Sequence, residues 1–152
     1  MKVMNDNKVA RWQILMDRVE GDLLQVQAAL ANITEKRNSL SDEAAKLNRM
    51  KLDYLKSFQR GSAEPQLKAK TVFIKDFVQH LEETLVSIAR EIEQIDKLRA
   101  DIKSRYAELL GQFNKYKALK SRATSASRKE QLSLENKEQD MRNVLRFSEK
   151  ST

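Results

Sequence analysis

From Val9 to Phe58 an apolar residue recurs at alternating intervals of three and four, without a slip. The series is Val9, Trp12, Met16, Val19, Leu23, Val26, Leu30, Ile33, Arg37, Leu40, Ala44, Leu47, Lys51, Tyr54 and Phe58. Thirteen of its fifteen members are apolar, and Arg37 and Lys51 are the exceptions. A period of about 3.5 residues held this long marks a coiled-coil seam, because a straight amphipathic helix drifts away from it. Some fifty residues of helix extend roughly 75 Å. A helix of that length needs a partner along its whole seam.

The pattern breaks at FQRGSAEPQL, Phe58 to Leu67, which holds Gly61 and the only proline, Pro65. Proline lacks the amide donor of a helix interior and disfavours helical geometry at Glu64. The same rule then resumes from Leu67 through Thr71 and Ile74, and from Ile74 to Tyr116 only Arg99 among thirteen seam positions is polar. Two such stripes joined by a short connection should fold back on each other. The expected fold is all-α: a long antiparallel two-helix coiled-coil hairpin. Helix 1 should span about 5–59, the turn 60–65 and helix 2 about 66–148, in one domain. Counting back from the break places Val9 beside Tyr116 and groups Trp12, Phe113 and Tyr116 at the open end.

Beyond Tyr116 the seam register falls on Lys120, Ala123, Ser127, Glu130, Leu134, Lys137, Met141 and Val144, only four of them apolar. The segment KSRATSASRKEQ, Lys120 to Gln131, carries four basic residues and one acidic. The C-terminal part of helix 2, roughly thirty residues up to Phe147, is therefore expected to overhang the hairpin as a lone helix or a frayed arm within 118–152, with Met141, Val144, Leu145 and Phe147 left uncovered. Such an end suggests a partner.

The remaining chemistry is sparse. There is no cysteine, one histidine (His80), and the three glycines, Gly21, Gly61 and Gly111, are isolated. That argues against a thiol or zinc site, a histidine base and a phosphate-cradling loop. A bare helical hairpin offers no cavity for convergent polar groups, so no enzyme, no cofactor and no metal is expected. The start, MKVMNDNK, lacks the apolar core of a signal peptide, and no apolar run approaches a membrane span, so a cytoplasmic chain is expected. The net charge of +7 fits an acidic partner, or a soluble coiled coil with basic residues in excess along its length. A leucine-zipper DNA binder needs a denser basic block, and no nucleic-acid partner is expected.

Three stretches carry a family resemblance: KLDYLKSF (Lys51 to Phe58) followed by Gly61, FIKDFVQHLEETL (Phe73 to Leu85), and EQLSLENKEQDM (Glu130 to Met141). Together they resemble FliJ, the flagellar export stalk family. The resemblance implies a coiled coil similar to the central stalk of rotary ATP synthases. It implies, as partners, a hexameric export ATPase (FliI-like), an export gate protein (FlhA-like) and export chaperones. It further implies a place in the cytoplasm, peripheral to the inner membrane, and a chain that is monomeric alone. Position by position, the gate-contact candidates are Tyr54, Phe58, Phe77 and Leu81, although three of these lie on the seam and only Phe77 lies beside it. The ring-contact candidates are Arg122, Arg128, Lys129, Met141, Val144 and Phe147. A stalk of a virulence-type injectisome, a generic coiled-coil tether and a basic membrane-surface or nucleic-acid binder are the competing readings.

Overall fold

Seven-residue patterning with almost no helix breakers leaves the chain one regular option, and the computed structural model takes it. Helix α1 spans Lys2–Gly61 and helix α2 spans Lys68–Lys150, packed against each other. The structure describes residues 2–61 and 68–150, with side chains over 3–60 and 70–150. Arg60 and Gly61 are helical. The rest of the expected turn, Pro65 included, and the seam position Leu67 lie outside the described residues.

The chain divides into two compact units. One joins residues 26–105, and the other joins residues 1–25 to 106–152. In the first unit Lys51 pairs with Glu82 at 3.3 Å, and Arg37 pairs with Asp96. Fourteen residues back along α1 are matched by fourteen forward along α2, so the helices run antiparallel in a fixed register. Its core is Val78, Leu81, Ile88 and Ile95, each 7% exposed or less. In the second unit Lys120 donates to the Gln13 carboxamide, and the Ser127 hydroxyl donates to Asp6 at 2.8 Å. Here seven residues back are matched by seven forward. Its core is Met16, Val19, Leu109 and Ala123, with Leu109 the most deeply buried at 1%.

Every described seam position from Val9 to Phe58, and from Thr71 to Glu130, is buried or half-buried. Most are half-buried because a two-stranded seam has open flanks. The expected end of the pairing needs correction. Trp12 stacks on Tyr116 as their expected grouping requires, with ring centroids 5.9 Å apart, but the two do not mark the end of the pairing. The pairing continues to Glu130, so the segment from Ala118 to Glu130 is not overhanging. The reason is chemical: Lys120 and Ser127 occupy seam positions as satisfied polar layers, and Ala123 fills the space between them. Past that point each residue from Gln131 to Lys150 is helical and exposed.

Gly21 and Gly111 sit inside helices, and a Cβ added at either would meet nothing within 4 Å. Neither has a positive φ. Replacing either with Ala removes backbone freedom from the unfolded chain at no steric cost. Gly21→Ala and Gly111→Ala should each raise stability by about 1 kcal/mol, read as a shift in the urea midpoint.

Candidate functional site

Near the start of α2 an aromatic row rises out of the seam. Tyr54 on α1 is half-buried, and its ring lies 4.8 Å from that of Phe77 at 57°. Phe77 in turn stacks on Phe73, one helical turn earlier, at 6.4 Å and 6°. Phe73 is 68% exposed. The row thus runs from the seam outward to solvent, and burial against the neighbouring ring fixes each inner ring. Phe58 is half-buried. Leu81 is 4% exposed and belongs to the core, so it offers a partner no surface. Phe73 is the residue that sequence reasoning missed. It stands one position before the seam residue Ile74 and four before Phe77, and that i,i+4 spacing of two rings is the signal. Phe73→Ala should leave stability within about 0.5 kcal/mol, as for an exposed site. Phe77→Ala should cost about 1 kcal/mol more, since it breaks the pair with Tyr54. Thermal melts of the two variants check the difference.

The seam of the same unit carries polar residues at Arg37, Lys51, Thr71 and Arg99, and Arg37 makes the closest ion pair across it. Arg37 reaches Asp96 with two donors, Nε to Oδ1 and Nη2 to Oδ2 at 3.4 Å. That hydrogen bonding, opposed by desolvation and aided by the charges of Arg37 and Arg99, holds the Asp96 carboxyl below its ordinary value. The same contact raises Arg37. For a depressed carboxylate the sign is fixed. Its contribution is present above the unfolded value and fades as pH falls through the lower folded one. Asp96→Asn should therefore flatten the acid limb of the melting profile below about pH 4 and leave its alkaline side unchanged. Arg37 is half-buried and Asp96 is exposed, so solvent screening keeps the effect modest.

The ring-contact candidates all lie on α2 in the other unit. Arg122, Arg128 and Lys129 are exposed within the paired stretch. Met141, Val144 and Phe147 are 70%, 67% and 75% exposed in the segment that follows. Met141 and Val144 continue the seam register, along with Leu134, while Phe147 points well to one side of that line. The two sets of candidates therefore fall in different units: the aromatic row in residues 26–105, the basic and C-terminal residues in the other.

Among the described residues no cluster of three or more His, Cys, Asp or Glu could hold a metal ion. No helix among them is long and apolar enough to cross a membrane. The geometry so far defines an all-α protein of two long helices packed antiparallel against each other. No family model, no curated protein and no solved structure matches the chain.

Proposed function

We propose that the chain is a non-catalytic stalk and adaptor of a flagellar export apparatus, one that promotes the activity of a hexameric export ATPase and couples it to the export gate. The observation that carries this reading is that the two helices bear two unlike surfaces, one in each unit. One is an aromatic row, Tyr54, Phe77 and Phe73, suited to an apolar groove on a gate protein. The other is a basic paired stretch followed by residues 131–150, all exposed, which would overhang the pairing and enter the ATPase ring. Residues 131–150 are neutral overall, so the electrostatic gain from acidic loops repeated around a ring falls on the basic paired stretch before them. The resemblance of Lys51 to Phe58 and Phe73 to Leu85 to the FliJ family supports the same assignment. On this reading the protein works in the cytoplasm, peripheral to the inner membrane, and export chaperones are further partners.

The test is the ATP hydrolysis rate of a candidate export hexamer with and without the chain, with a version ending at Gln131 as control. The expected result is strong stimulation by the full chain and little by the shortened one. A stable homodimer in sedimentation, with no stimulation by either version, would overturn the stalk and leave a tether.

A further inference from the structure

The basic excess is not spread along the molecule. From Met1 to Arg18 four basic residues (Lys2, Lys8, Arg11, Arg18) stand against Asp6 and Asp17, a balance of +2. From Gly111 to Glu130 six stand against Glu130 alone, a balance of +5. Together these equal the whole net charge of +7, and the rest of the chain sums to zero. Both stretches belong to one unit, and the pairs Gln13–Lys120 and Asp6–Ser127 set them side by side.

Heptad position sorts these charges by face. Arg11 and Arg18 each precede a seam residue, Trp12 and Val19, that is followed four later by the next. Lys115, Arg122 and Lys129 precede Tyr116, Ala123 and Glu130 in the same way. Equivalent flanks of antiparallel helices face the same side of the pair. The register therefore sets Arg18 abreast of Lys115 and Arg11 abreast of Arg122, in rungs about 10 Å apart. Each of these five is exposed, and none forms an ion pair or hydrogen bond among the described residues. Between the two rims, on the same side, lie Leu15 and Leu119, both off the seam and both half-buried. Asp6 and Asp17 occupy the opposite flank.

We propose that this face is a docking groove for an acidic amphipathic helix of a partner protein. Leu15 and Leu119 form the floor, and the two basic rows grip carboxylates on both flanks of the incoming helix. Heptad-spaced cations match heptad-spaced carboxylates in pitch, which a third helix supplies. Nucleic acid fits less well, because the rows and floor of this face carry no ring to receive a base, and Trp12 and Tyr116 on the seam stack on each other. A bilayer fits less well, because the floor leucines lie below the charged rims rather than above them. The chain's own residues 131–150 hold four acidic and four basic side chains, so they do not supply the match. The groove shares Arg122 and Lys129 with the stalk assignment but does not rest on it.

The test uses the full chain and a synthetic helical peptide of about three heptads, with Leu on its seam and Glu on both flanks. The expected result is saturable binding that weakens with salt, and none to the same peptide with Lys flanks. Arg11→Glu with Arg122→Glu should weaken binding about tenfold or more, and Arg11→Gln with Arg122→Gln should weaken it less. Lys117→Glu with Arg128→Glu, on the opposite flank, should change it little. Circular dichroism confirms that each variant stays helical. Equal loss from the two reversed faces would overturn the groove. Tighter binding of duplex DNA or of phosphatidylserine vesicles than of the Glu peptide would also overturn it. ATPase stimulation is not read in this experiment, so its outcome and that of the stalk test remain separate.

Discussion

Ile95→Asp should unfold the pairing of residues 26–105 at room temperature. Ile95 is 5% exposed, in the middle of the seam. Arg37 is already matched to Asp96, so the one seam cation a new carboxylate could reach is Arg99, a helical turn further along α2, whose Nε is itself buried without a hydrogen-bond partner. Desolvating a carboxylate at this position, only partly offset by Arg99 at the end of its reach, together with the lost isoleucine packing costs about 3 kcal/mol or more. That is a large share of the total stability of a small domain. The expected observation is a loss of most helical circular dichroism, recovered in Ile95→Leu. Retention of full helicity in Ile95→Asp would show that this position is not sealed by the other helix.

Leu109→Ala should have the next largest effect. Leu109 is the most completely buried side chain, at 1% exposure, in a fold where most seam residues remain half open. Truncation removes its transfer energy and leaves a cavity, together worth about 3 kcal/mol. Two exposed flanks let the helices close partly over the gap, so the cost should fall short of the highest core values. Hydrogen exchange should show faster opening in residues 1–25 and 106–130. A substitution of the exposed neighbour, Leu110→Ala, should cost far less, since Leu110 is 40% exposed. Equal costs for the two would mean that burial on the seam does not govern stability here.

The seam was legible in the sequence as far as Tyr116. Fifteen positions on α1, and those from Thr71 to Tyr116 on α2, could be written down from spacing alone, and each described one is shielded as expected. Register was not legible, because it depends on polar pairs that spacing does not weigh. Counting from the break set Val9 beside Tyr116, whereas Gln13–Lys120 and Asp6–Ser127 place the helices about one heptad further along. For the same reason Lys120 and Ser127 read as a failing seam, although each finds a hydrogen-bond partner across it. Phe73 was passed over because it stands off the seam, where the row of rings it extends becomes visible only through Phe77 and Tyr54. Leu81 stood among the gate-contact candidates only through the family resemblance, while its heptad position marked it as seam, and it is core. The basic residues read as evenly spread because they are far apart in the chain. Arg11 and Arg122 come abreast only once the helices are antiparallel and their offset is fixed.

Both proposed surfaces depend on antiparallel pairing, and the basic groove depends on its register, so the register is the claim to measure. The chain has no cysteine, so paired spin labels can be placed at will. Ala10 would be labelled together with Asn114, Ser121 or Arg128 in turn, all exposed and the last three on one stripe of α2. Neighbouring sites on that stripe are about 10 Å apart, well within the discrimination of dipolar spectroscopy. The expected result is the shortest separation for Ala10 with Ser121, at protein dilutions where no intermolecular coupling remains. A shortest separation for Ala10 with Asn114 would contradict the register, and coupling only between chains would contradict the fold.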